Sequence, residues 1–403
     1  MSSAPSPAGE APVPLLLPLL RNGVAPTPDL DAVRTSRPVA RLDVPTEAPP
    51  VWLVTGREEV RAVLGDAEQF SNDLSHLTGT GLEALAAQDP GGLGFTDPPE
   101  HTRLRRLLAG EFTVRRLQEL APRIEQVVAD RLDAMQRLGP PVDLVAEFAV
   151  PVPSLVICAL FGVPERDRTE FEQRSTERFD VLGSMADSLT AVNASMAYLT
   201  ELVSRQRAEP GSGMLGNLLR EHGDEVSDVE LAGLADGVLT GGHETTASML
   251  ALGALVLLED PGLATDVRSG DVPVTSLVEE LLRHLSVVQV AFPRFARTAM
   301  VLGNQKIDIG DVLLCSLSGA NRDTAFGVDP ERVDPRRRPA THLAFGHGVH
   351  RCLGAELGRM ELRTALPALL RRFPGLRLAG TPAELEFRTI SLVHGVRSLP
   401  VAW

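Results

Sequence analysis

LAFGHGVHRCLGAELGRMELRTALPALLRRF, residues 343–373, decides how the rest of the chain reads. Gly346, Gly348 and Gly354 punctuate a loop that runs straight into a long amphipathic stretch, so Cys352 falls at or just before a helix N-terminus. That placement lowers a thiol's pKa, because the helix dipole favours the anion. Glycines let a backbone approach a bulky flat partner closely, and His350 and Arg351 add donors or positive charge beside the sulfur. Three readings compete on this pattern: an ordinary buried thiol, a zinc site made by His347, His350 and Cys352, and a thiolate ligand for a larger cofactor. Structural zinc wants four N or S ligands, and Cys158 and Cys315 have no paired spacing. An ordinary thiol leaves the glycines unexplained.

Outward from this loop, the most informative element is a helix that begins at SDVE, with Ser227 and Glu230 at capping-box spacing, and ends at Asp260 and Pro261. It spans about 30 residues, or ~45 Å. Its second half is apolar on nearly every face, which marks a helix through the core. In its middle sits GGHETT, residues 241–246, where a helix prefers neither glycine nor threonine.

FGHGVHRCLG resembles the haem-binding signature of the cytochrome P-450 superfamily, soluble bacterial type, at Phe345, Gly346, Gly348, His350, Cys352 and Gly354. The resemblance implies that Cys352 is the axial ligand of haem b and that thiolate donation promotes O–O cleavage. It implies that the long helix crosses over the haem, with GGHETT as the oxygen-binding segment: Gly241 and Gly242, then Glu244 as the acid and Thr245 as the alcohol of a proton relay. A Thr245 hydroxyl bonded to the Gly241 carbonyl opens the helix locally into a groove for dioxygen. Two haem propionates need cationic or hydrogen-bonding partners, and the resemblance supplies His101 and Arg105 in DPPEHTRLRRLL, Arg294 in FPRFAR, and His350. It also implies a buried structural trio of Glu280, Arg283 and Arg337, although amphipathicity alone puts Glu280 and Arg283 opposite the apolar face of Val278, Leu281, Leu282 and Leu285. The motifs run in order from Asp97 to Gly354.

The expected fold class is mainly α with a smaller β region. VARLDV (39–44) and VWLVT (51–55) pattern as a strand pair, REEVRAVLGD (57–66) as a helix, and 100–285 as mostly helical. VLLCSLS (312–318) and SLVHGVRSLPVAW (391–403) pattern as strands. No linker divides the 403 residues, so a single catalytic domain is expected, with residues 1–28 as a loosely ordered tail. The apolar runs 13–20 and 247–258 are too short or too interrupted to be a signal peptide or a membrane span. Three cysteines fit a reducing compartment, hence the cytoplasm. A net charge of −14 argues against nucleic acid as a partner.

The resemblance implies a monooxygenase that hydroxylates or epoxidises a small apolar or mixed organic substrate in natural-product tailoring, with O2 and electrons from a separate ferredoxin-type donor; a monomer is expected. Alternatives are oxidative coupling of aromatic substrates and a non-catalytic haem scaffold, the latter having no use for Glu244 and Thr245. Arg103, Arg106, Arg115, Arg116 and Arg359 are candidates for a basic docking patch toward an acidic ferredoxin. Substrate contacts are expected from the loop between Ser71 and Phe95 with Leu82, from 165–200, from near Leu239, from 287–292, and from Leu392 to His394.

Overall fold

The computed structural model describes residues 11–44, 49–73, 93–163, 185–337 and 340–403, with the side chains of 185–192 excepted. Its centre is the helix Asp228–Glu259. The Ser227 cap works in both directions: its hydroxyl accepts from Glu230 N at 3.2 Å, and its own N–H donates to Glu230 Oε2 at 2.9 Å. At the far end Asp260 caps the next helix, Pro261–Ser269, accepting from Leu263 N at 2.9 Å. Most positions from Leu231 to Leu257 are buried, because the helices Pro151–Phe161, Met185–Ala208, Val274–Leu285 and Ala355–Arg372 pack against it. An all-round apolar sequence is satisfied only by such an enclosed position.

The main sheet of the β region has six strands in the spatial order Val13–Pro14, Val39–Asp43, Val51–Val54, Val312–Cys315, Arg294–Ala296, Phe70–Ser71. Val39–Asp43 and Val51–Val54 pair antiparallel, as the two alternating segments suggest, and Val312–Cys315 adds parallel to the second of them. Arg294 thereby sits on a strand that the sheet fixes in place. The fold class is as expected: mainly helical, with a smaller sheet carrying its own apolar clusters.

Two expectations need correction. Within 1–28, residues 1–10 lie outside the described residues, but 11–28 are docked rather than loose. Val13 pairs with Leu42, Leu17 is buried, and Arg21 bonds Gln289 Oε1 at 2.6 Å and Ser286 O at 3.0 Å. The C-terminal stretch 391–403 forms only one strand, Pro400–Ala402, with isolated bridges at Val393 and Val396.

Glu280 and Arg283 are 6% and 2% exposed. The helix Val274–Leu285 hides its polar face because the loop from Asn321 to Arg337 lies over it: Arg283 donates to Glu280 at 2.7 and 2.8 Å and to the carbonyls of Asn321 and Pro330. Arg337 Nε reaches Glu280 Oε1 at 3.4 Å. No single helix among the described residues is long and apolar enough to cross a membrane.

Candidate active site

Cys352 stands just ahead of the helix Ala355–Arg372, whose N-cap is Gly354. The loop before it closes on itself, with Cys352 N donating to Phe345 O at 2.9 Å and Arg351 N to Gly348 O at 3.1 Å. Gly346 and Gly348 adopt φ of +69° and +72°. Gly348 has a second reason to be glycine: a Cβ there would stand 2.1 Å from Leu64 O. Leu64 belongs to the helix Arg57–Gly65, so this close approach is one that the fold itself makes. Behind the loop, the Arg359 guanidinium lies 4.6 Å over the Phe345 ring.

Cys352 keeps exposed surface although packed protein surrounds it, as at the floor of a deep recess. Burial pushes its thiol up, against the weaker pull of the Gly354 N–H and the Arg105, Arg351 and Arg359 charges. The helix dipole alone suggests the opposite direction; desolvation is the larger effect. Among the described residues no three His, Cys, Asp or Glu side chains are grouped to hold a metal ion, so the zinc arrangement has no geometry.

Four side chains near this loop lack what their chemistry demands. His101 is 1% exposed and neither ring nitrogen has a partner among the described residues; His350 Nε2 has none either. The two rings lie against each other with centroids 4.1 Å apart and planes tilted by 44°. Arg294 is 4% exposed, donates only to the carbonyls of Phe292 and Pro293, and forms no ion pair among the described residues. Arg105 donates to Arg351 O at 2.7 Å and has no carboxylate partner among the described residues. Burial lowers the pKa of both rings, that of His350 to about 3, with the nearby arginines adding to it. Neutral rings and unpaired guanidiniums in one place suit a ligand that brings its own carboxylates. The nearby acid, Asp97, is already taken by Arg297, Asn72 and Ser71.

On the long helix Thr245 Oγ1 donates to Gly241 O at 2.6 Å, yet the helix runs unbroken through this point. The expected groove comes instead from missing side chains. Gly237 and Gly241 are exposed in the middle of an otherwise buried helix, nothing lies within 4 Å of where their Cβ atoms would stand, and Thr245 follows at the same four-residue spacing. Gly242 backs onto Ile157. Thr246 Oγ1 lies 4.0 Å from a Cβ built on Gly358, which fixes where this helix crosses the cysteine helix. Glu244 forms an ion pair with Arg388. Burial raises the Glu244 carboxyl and Arg388 draws it back.

Two of these groups are missed by sequence reading. Arg388 carries no motif; the only signal is that an acid in an apolar helix needs a cation, and 39 basic residues offer no way to choose. Glu361, on the cysteine helix, is 2% exposed with Oε2 unpartnered among the described residues, and burial pushes it up to about 8.

Of the expected substrate contacts, Leu82 and the segments 74–92 and 164–184 lie outside the described residues. Phe292 and Leu392 offer exposed apolar surface, the Phe292 ring lying edge-on to Phe95 at 4.7 Å. His394, Val287, Val290 and Leu239 are buried, and His394 Nε2 bonds Gly23 O at 2.9 Å. The basic patch is reduced too. Arg103, Arg116 and Arg359 are paired with Glu100 and Glu230, with Glu111, Glu119 and Glu221, and with Glu279. Arg106 and Arg115 are exposed without an ion pair among the described residues.

The site thus combines a cysteine just before a helix, a second helix with exposed glycines, an acid and an alcohol, and cations that form no ion pair among the described residues. The family model for cytochrome P450 matches residues 272–393. Cytochrome P450 165B3 of Amycolatopsis orientalis is 42% identical over 357 residues, covering 87% of this chain and 89% of that relative. The vitamin D3 dihydroxylase of Streptomyces griseolus is 40% identical over 357 residues, 87% of each chain. The crystal structure of OxyC, a cytochrome P450 implicated in an oxidative C–C coupling reaction during vancomycin biosynthesis, superposes with a TM-score of 0.87 at 39% identity over 96% of both chains. The chain belongs to the cytochrome P450 family. It is an oxidoreductase, a haem-thiolate monooxygenase whose cofactor is haem b.

Proposed function

We propose that Cys352 Sγ holds the haem iron, that His101, Arg105, Arg294 and His350 hold the two propionates, and that Glu244 and Thr245 carry the protons consumed when dioxygen is split. The bound haem supplies the oxidising chemistry, with thiolate donation favouring O–O cleavage, so that one oxygen atom goes to substrate and the other to water. The remaining work falls to the chain. The Phe345–Cys352 loop, closed by its own backbone bonds, keeps the sulfur at the recess floor. Gly237 and Gly241 leave room above it, and the Thr245 hydroxyl, oriented by the Gly241 carbonyl, stands at the edge of that room. Glu244 restores the proton that Thr245 passes on. The observation that carries this reading is the set of buried and half-buried donors and cations that have no carboxylate partner among the described residues, around the one exposed cysteine.

The substrate is a small apolar or mixed organic molecule, consistent with the exposed Phe292 and Leu392, and the reaction is hydroxylation or epoxidation in natural-product tailoring. Oxidative coupling is the second reading, favoured by the likeness to OxyC; a product that gains an oxygen atom separates the first from a coupled product that has only lost hydrogen. Electrons come from a ferredoxin-type donor, and the protein works as a cytoplasmic monomer.

Thr245→Ala tests the relay. The variant retains haem but diverts reducing equivalents to hydrogen peroxide, lowering product per reductant by roughly tenfold or more. Undiminished product per reductant would remove Thr245 from the relay.

A further inference from the structure

The acid and the alcohol assigned above are not bonded to each other. Thr245 gives its hydroxyl proton to Gly241 O, and the Glu244 carboxylate is held by Arg388. Arg388 arrives from a distant part of the chain, on a hairpin closed by Arg388 N to Gly395 O at 2.8 Å and by the Phe387–Val396 bridge. The hairpin lies directly on the long helix. A Cβ on Gly395, opposite Arg388, would stand 2.7 Å from Ser248 Oγ, and Ser248 is one turn beyond Glu244. The hairpin's other strand bonds the segment leading to Arg294, through His394 N to Val287 O at 2.7 Å and Gln289 N to Leu392 O at 3.0 Å. Its tip presents Ile390 and Leu392, 53% and 64% exposed. The same hairpin therefore carries apolar surface at one end and the partner of the buried acid at the other.

We infer that Arg388 is a positioning residue of the proton relay: its guanidinium holds Glu244 ionised and away from Thr245, and the pair must open for Glu244 to deliver a proton. This rests on the reading of Glu244 as the relay acid. The guanidinium is the only charge found acting on that carboxyl among the described residues, and it opposes the effect of burial. The other titratable groups that feel Arg388 are His243 on the long helix and His394 on the hairpin. Burial keeps both neutral, at about 4 and about 3. Neither replaces the cation when Arg388 is removed. An ionised carboxylate has no proton to give; opening the pair lets the buried carboxyl take one from water and turn to Thr245, with no change in oxidation state at either residue.

The test uses the haem-loaded enzyme and two readouts. In difference infrared spectra of the ferric protein, the carboxyl stretch that disappears in Glu244→Gln is followed against pH. In turnover, product per reductant is followed over the same pH range. Arg388→Gln raises the pH at which that carboxyl ionises by about one unit or more, and the alkaline limb of the turnover profile moves with it. Arg388→Lys keeps the charge and stays closer to the parent on both. Glu244→Asp, one methylene shorter, draws the carboxylate back from Arg388 and shifts ionisation the same way with the hairpin intact, which keeps the inference testable if Arg388→Gln fails to fold. In the Glu244→Gln background, Arg388→Gln has no further effect on turnover. An unchanged carboxyl titration in Arg388→Gln or Glu244→Asp overturns the inference, as does a Lys variant that behaves like Gln. If the titration moves but Glu244→Gln leaves turnover and its pH profile unaltered, the relay reading has failed and the electrostatic pairing stands.

Discussion

Glu361 sits in an environment that its type disfavours: a carboxyl buried on the cysteine helix, pushed up to about 8 by desolvation. A folded-state pKa above the unfolded value means the native protein holds a proton that the unfolded chain releases, so stability is full below about pH 4 and falls as pH rises toward 8. The slope is at most about 1.4 kcal/mol per pH unit. Glu361→Gln, which copies the neutral carboxyl, removes that slope and is the more stable form at neutral pH; denaturant titrations of the haem-loaded protein between about pH 5 and 8 measure it. An equal slope in both proteins would mean that Glu361 is ionised. What is legible at this scale is whatever is local in the chain. Cys352, Gly241, Glu244 and Thr245 stand in short motifs, and the Thr245–Gly241 bond follows from a four-residue spacing. The direction of the Cys352 shift and the partner of Glu244 are not local: one depends on how much protein surrounds the sulfur, the other on a hairpin 144 residues away.

Elements were readable where one face alone decides them. The long helix is apolar all round and capped at Ser227, so its length and central position follow from its own residues. The helix Val274–Leu285 was harder, since its polar side is covered by a loop whose path no periodicity announces. That cover makes the Glu280–Arg283 pair expensive to break. Glu280→Ala leaves the buried Arg283 with backbone carbonyls alone, and the expected loss is about 3–5 kcal/mol, read by denaturant unfolding, with weaker haem retention on a desalting column. A loss below about 1 kcal/mol would mean that the pair is solvated. The strand expected across 391–403 is broken for a similar reason: Gly395 is seated on Ser248, so the stretch follows the long helix there and joins a sheet only at Pro400–Ala402.

At the scale of the whole molecule, net charge was legible and its placement was not. The chain carries −14, yet many of its arginines are consumed by neighbouring carboxylates, Arg103, Arg116 and Arg359 among them. Arg106, Arg115 and Arg351 are left exposed without ion pairs among the described residues, and Arg351 is next to Cys352. Replacing Arg106 and Arg115 together with Glu therefore slows reduction by an acidic ferredoxin several-fold at low salt, and the difference shrinks as salt screens it; stopped-flow reduction at two ionic strengths measures this. On the proposed reading, the sheet, the helical layer and the hairpin all serve to hold one sulfur opposite the glycine face of the long helix. The absorption spectrum of the reduced protein with carbon monoxide reports on that sulfur. Ligation by Cys352 gives the long-wavelength Soret band of a thiolate-bound haem in the parent protein and its loss in Cys352→Ala. A parent spectrum with the short-wavelength band of a nitrogen-ligated haem, or a long-wavelength band that survives the substitution, would contradict it.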